Sequence, residues 1–252
     1  MVHLRAMQKP TTLMAGKFRS RNFGTKPYLH EALLRTGVAK PEVLFIGAAS
    51  DDNRGFGTML TTVLKLSGAH KVHWPKLAGK KNEAAKLRAL LQSVDLIFIG
   101  GGDVEVGMTH LHENDLVKDI HAAHARGAVF TAMSAGAIML GERWVKWPTE
   151  TATDDEAHTY ECLGVVPFSL DTHGEGDGWH ETQVFAQVRA RETKALAHAY
   201  GVPSGGALIV DNGKPFAHGV PAQVFSAHPG KSAKALADLP ILSKDQSPGA
   251  PA

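Results

Sequence analysis

The chain has one cysteine, Cys162, so it can form neither an internal disulfide nor a cysteine-based zinc site. That usage fits a reducing compartment, and a cytoplasmic location is expected. No apolar run approaches the ~20 residues of a membrane-spanning helix, so no membrane partner is expected. The first ten residues carry basic side chains with no apolar stretch behind them, so no secretory signal is expected. A dense Lys/Arg stripe is also lacking. The net charge is +2, and the longest basic cluster, Lys76 to Lys86, reads as a solvated helix face, which argues against nucleic-acid binding. There is no internal repeat and no long linker inside the body.

What is present is ordinary globular composition: 252 residues, 43% apolar and 21% charged, enough for a sizeable core. A single α/β domain is expected over 1–242, followed by a Pro/Ser/Gly-rich tail over 243–252 expected to be disordered. Four short apolar runs, Thr11–Met14, Val43–Ile46, Val94–Ile99 and Ala128–Ala132, read as buried strands that end in turn signals. Helical patterns lie between them, over Tyr28–Arg35, Gly57–Leu66, Glu83–Leu91 and Leu111–Ala125. This alternation predicts βαβ units and a parallel sheet, and continuously apolar strands predict a sheet covered on both faces. After Trp147 the texture changes. Thr149–Glu156 reads as a surface loop, Leu163–Leu170 as a strand, and Thr182–Arg191 as strand or helix. Asp211-Asn212-Gly213 marks a hairpin after Ala207–Val210, and Ala222–Ser226 is expected to close the sheet.

Three features carry chemistry. In Val129-Phe130-Thr131-Ala132-Met133-Ser134-Ala135-Gly136 an apolar strand runs into a serine with small residues two before and two after. That is the pattern of a nucleophile elbow, where strand and helix must pack closely around a strained turn. The Ala135 N–H would be the first oxyanion donor. The same pattern also fits a serine that only caps a helix. Gly100-Gly101-Gly102-Asp103, after the third strand, lets backbone N–H groups approach a ligand, or is a plain tight turn. It lacks the third glycine of a dinucleotide fingerprint and the Gly-Lys-Ser/Thr of a P-loop. His173 would supply the base that a serine hydroxyl needs, although the chain has 14 histidines and most must do something else. His110/His112 and His121/His124 lack a His-Glu-x-x-His arrangement, so no metal is expected, and no cofactor is implied.

Together these features resemble the S51 serine peptidases, which include aspartyl dipeptidase (peptidase E) and cyanophycinase. The resemblance runs from about Leu13 to Phe225. It rests on the ordered series Phe45-Ile46-Gly47-Ala48-Ala49-Ser50, Phe98-Ile99-Gly100-Gly101-Gly102-Asp103, Met133-Ser134-Ala135-Gly136-Ala137, Asp171-Thr172-His173 and Gly201-Val202-Pro203-Ser204-Gly205-Gly206. It implies the flavodoxin-like, class I glutamine amidotransferase-like fold: a mostly parallel sheet with helices on both faces, and serine in place of the cysteine nucleophile. Carried over, Ser134 is the nucleophile, His173 the base, and the N–H groups of Gly101, Gly102 and Ala135 the oxyanion hole. Asp103 stands where the family often has Asn and, with Arg143 or Lys146, is a candidate substrate contact. The family's acid in Pro-Glu-Gly is replaced in Pro203-Ser204-Gly205. Ser204 therefore holds the third triad position, with Glu175, Asp177 and Asp211 as alternative carboxylates. The expectation is a peptidase for small peptides or isopeptide-like amides, with a small peptide as partner and a homodimer left open. A binding protein that kept the fold and lost efficient catalysis is the alternative that Ser204 favours. Glutamine amidotransfer is disfavoured because Cys162 lies outside the elbow.

Overall fold

The structure, a computed structural model, describes residues 9–16, 25–79 and 82–241; the expected disordered tail lies outside them. In chain order the strands are β1 (Thr11–Met14), β2 (Glu42–Ile46), β3 (Lys71–His73), β4 (Leu96–Ile99), β5 (Val129–Met133), β6 (Arg143–Lys146), β7 (His158–Glu161), β8 (Leu170–Thr172), β9 (Ala197–Val202), β10 (Ala207–Asp211), β11 (Lys214–His218), β12 (Gln223–Ala227) and β13 (Lys234–Ala235). The helices are α1 (Lys26–Leu34), α2 (Arg54–Leu66), α3 (Ala84–Leu91), α4 (Val104–Glu113), α5 (Val117–Ala125), α6 (Ala135–Met139) and α7 (His180–Thr193).

The main sheet has seven strands in the order β11-β10-β1-β5-β4-β2-β3. From β1 to β3 every neighbour is parallel, and the β10–β11 hairpin adds an antiparallel edge. Its turn, Asn212-Gly213, has positive φ at both residues, the requirement that favours Asn-Gly in such turns. Side chains alternate across this sheet. Leu13, Leu44, Ile97 and Phe130 enter one apolar cluster, with α3, α4 and α5 packed over them. Met14, Phe45, Phe98 and Val129 enter the other, under α1 and α2. Both faces are therefore covered, which is why these strands are apolar without interruption.

Three sequence expectations change and one left open resolves. The run Leu111–Ala125 is two helices rather than one. The chain breaks at Asn114-Asp115-Leu116, where Asp115 takes a left-handed φ of 52° and Leu116 turns fully into the core. Leu163–Ser169 is irregular, with Gly164 at positive φ and Pro167 unable to donate a ladder bond, so only Leu170–Thr172 is strand. Ala222–Ser226 does not close the main sheet. β12 pairs with β9 in a second sheet of order β13-β12-β9-β8. Thr182–Arg191 resolves as helix α7, which buries Val184, Phe185 and Val188.

Candidate active site

Parallel strands place their C-terminal ends side by side, and ligands of such sheets bind outside those ends. Here the turns after β5 and β4 meet. Ser134 follows β5 with φ 54° and ψ −130°, a conformation that costs an L residue on the order of 1–3 kcal/mol. The surroundings enforce it. The Ser134 N–H donates to the Met14 carbonyl of β1 (2.9 Å), and the Ser134 carbonyl accepts from Ala137 N–H (2.7 Å) as α6 begins. A side chain at Gly136 would lie 2.5 Å from the carbonyl oxygens of both Ile99 and Gly100. Only glycine lets α6 start so close to β4.

The turn after β4 is equally tight. Gly102 has φ 148°, and a Cβ there would meet the Ala49 carbonyl at 1.9 Å. The Asp103 N–H donates to that same carbonyl (2.7 Å). Among the described residues, no backbone hydrogen bond uses the N–H of Gly101, Gly102 or Ala135. Gly101 packs against the serine, where a Cβ would lie 2.9 Å from Ser134 Cβ, and Gly102 and Ala135 line the same cleft.

His173 follows β8, held by its N–H on the Val202 carbonyl of β9 (2.9 Å) and by a left-handed φ of 50°. Its Nε2 lies 2.9 Å from Ser134 Oγ, within reach for proton transfer. Ser204 does not stand alone at the third position. Its backbone N–H donates to Glu175 Oε1 (3.1 Å). Burial pushes the Glu175 carboxyl up, but hydrogen bonds from Ser204 and the charge of His173 outweigh it and hold the carboxylate below its ordinary range. Of the other carboxylates, Asp177 accepts from Trp179 N–H (3.0 Å) at the start of α7. Asp211 ends β10 and is not among the residues that line the cleft.

The serine and histidine open on a cleft of about 520 Å³. Asp103 lines it while capping α4, with Oδ1 accepting from Val106 N–H (2.9 Å). Arg143 does not line it. That guanidinium is committed to the β6–β7 hairpin, on Thr159 Oγ1 (2.8 Å) and the Thr159 carbonyl (3.1 Å). Lys146 lines the cleft instead, paired with Glu105 (2.9 Å). Trp144, Trp147, Tyr160 and Glu181 complete the wall. Sequence reading passed over these four. No local pattern marks the two tryptophans or Tyr160 as cleft residues, and Glu181 sits just before Thr182–Arg191, whose helix or strand character was open. Asp171, 7% exposed, is pushed up to about 7 by burial, against hydrogen bonds from Thr182 Oγ1 and Thr172 N–H. Cys162 lines a separate pocket, and burial raises its thiol to about 12, which makes it a poor nucleophile.

A family model for peptidase family S51 matches residues 13–216. Two solved structures share the fold. A peptidase from an acI-B1 actinobacterium is 15% identical with a TM-score of 0.67, covering 90% of this chain and 97% of that one. A peptidase E-type protein from Listeria monocytogenes is 18% identical with a TM-score of 0.61, covering 84% and 98%. No curated protein matches the chain in sequence.

Proposed function

The chain belongs to peptidase family S51, and on that premise we propose that it is a serine peptidase that cleaves small peptides or isopeptide-like amides through an acyl-enzyme on Ser134. The supporting observation is the 2.9 Å contact between Ser134 Oγ and His173 Nε2 on a strained strand-to-helix turn. A serine that served only as a cap would need neither the positive φ nor the imidazole.

The chemistry then runs in two halves. Ser134 Oγ attacks the amide carbonyl while His173 Nε2 takes its proton. The negative oxygen is stabilised by N–H groups of Gly101, Gly102 and Ala135. Collapse breaks the C–N bond, and His173 returns the proton to the leaving amine. A water molecule, deprotonated by His173, attacks the ester; the C–Oγ bond breaks, His173 returns the proton to Ser134 Oγ, and the acid product leaves. Fixed backbone donors of this kind contribute on the order of 100–1000-fold each.

Glu175 is the carboxylate we assign to the histidine. The reading is supported by its hydrogen bond from the Ser204 N–H and by the charge of His173 that its carboxyl feels. Ser204 keeps a share in the role by holding Glu175. The cytoplasm remains the expected compartment on the evidence of cysteine usage alone.

A mixed dipeptide and tripeptide library, digested by wild type and by Ser134→Ala and read by mass spectrometry, tests this. Cleavage only by wild type is the expected result. Cleavage by both proteins rejects Ser134 as the nucleophile, and cleavage by neither favours a binding protein that has lost catalysis.

A further inference from the structure

We infer that this cleft takes a substrate carrying a cationic group, an ammonium or guanidinium, beside the scissile amide, and that Asp103, Asp177 and Glu181 receive it. The inference rests on the peptidase reading for the position of the amide but not for the binding itself.

Negative charge in the cleft is not balanced. Asp103, Glu105, Glu150, Asp171, Asp177 and Glu181 line it together with Ser134, and among the described residues Lys146 is the one Lys or Arg that does so. Lys146 already spans to Glu105 at 2.9 Å. Among the described residues, no further Lys or Arg in the wall faces Asp103, Asp177 and Glu181, and the one base beside them is the His173 imidazole. Asp103 and Asp177 each have one oxygen on a backbone N–H, which orients the carboxylates without neutralising them. Glu181 feels both: burial first, then the charge of Asp177 and, more weakly, of Asp103 push its carboxyl up, and a hydrogen bond from Trp144 and the charge of His180 only partly offset them.

A second observation is independent of charge. Thr172, only 3% exposed, lines the cleft next to His173, and its Oγ1 has no hydrogen-bond partner. Tyr160 lines the same wall, and among the described residues its hydroxyl is buried without a partner. Burying such groups unpaired is costly, and a bound ligand with polar atoms satisfies them. The wall also holds the half-buried Trp147 ring, one face of which is stacked on His180, and an aromatic face beside carboxylates attracts organic cations; Trp144 is buried against Phe185. An acidic side chain would instead enter a field of its own sign, which sets this cleft apart from an aspartyl-selective one.

The cation has two possible sources, a free α-ammonium or a basic side chain, and one experiment separates them. Full-length Ser134→Ala is titrated calorimetrically with norleucinamide, Nα-acetyl-lysinamide, Nα-acetyl-norleucinamide and Nα-acetyl-aspartamide bearing a free side-chain carboxylate. At least one of the two cations should bind about tenfold or more tighter than the neutral ligand, and the anion more weakly, as a partly exposed ion pair implies. Whichever cation wins names the source. Glu181→Gln should reduce that preference several-fold, and exposed Asp177→Asn gives the same reading should the first variant fold poorly. Equal or tighter binding of the neutral or anionic ligand overturns the inference. So does no binding by any ligand, or a preference that neither substitution moves. Cation-selective binding by a protein whose wild type cleaves no peptide would leave this inference standing and remove the peptidase reading alone.

Discussion

Ser134 sits where backbone meets backbone. Its amide is tied to β1, its carbonyl to α6, and the approach of α6 to β4 leaves no room for a side chain at Gly136. His173, 2.9 Å away, sits where side chains meet: Thr182 holds Asp171 two residues before it, and Glu175 two residues after it reaches Ser204. The nucleophile side is thus fixed by main-chain packing and the base side by a polar network. Defects in the first should act through geometry, and defects in the second through charge and pH.

The largest effect is expected from the nucleophile side. Gly136→Ala puts a methyl group against two carbonyl oxygens, and the elbow must shift. Steady-state kinetics should show a loss of about 100-fold or more, because an ångström of misplacement costs that much. Thermal unfolding should show about 1–3 kcal/mol of lost stability. A variant with wild-type rate would break the comparison at its root.

On the base side, Glu175→Gln keeps shape and removes charge. A fall in kcat of about 10–100-fold is expected, smaller than for a fully buried triad acid, with the thermal midpoint little changed. Ser204→Ala should cost less, because the Ser204 amide that holds Glu175 remains. If Ser204→Ala proved the more damaging of the two, the acid assignment would pass to the hydroxyl.

Asp171 gives the pH signature. Its ordinary value is near 3.8 and burial raises it to about 7 in the folded chain. The folded state therefore holds the proton more tightly than the unfolded one. This stabilisation is complete below about pH 4 and is lost as pH rises through 7, a change on the order of 4 kcal/mol. The wild-type melting temperature should fall relative to that of Asp171→Asn between pH 5 and pH 8, by several degrees. Parallel curves for the two proteins would show that Asp171 is not held neutral.

The same contrast explains what was legible in the sequence. The nucleophile side was readable because its constraints are local: an apolar strand, a serine, and small residues at fixed offsets leave few alternatives. Strands Thr11–Met14 and Val43–Ile46 were visible for the same reason. The base side is assembled from segments far apart in the chain. Nothing local signals that Glu175 meets Ser204, that Trp144 and Trp147 line a cleft, or that Arg143 is committed to Thr159. The break at Asp115 escaped a periodicity argument because apolar spacing continues across it into Leu116. The pairing of β12 with β9 rather than the main sheet depends on packing against α7 that no short motif records.

The account rests on Ser134 being activated by His173. Labelling with a small fluorophosphonate, followed by intact and peptide mass spectrometry, tests this without knowledge of the substrate. One adduct per chain should appear on the peptide containing Ser134, vanish in Ser134→Ala, and form on the order of 100-fold more slowly or worse in His173→Ala, as expected for a lost general base. No adduct, an adduct on another residue, or an undiminished rate without His173 would contradict it.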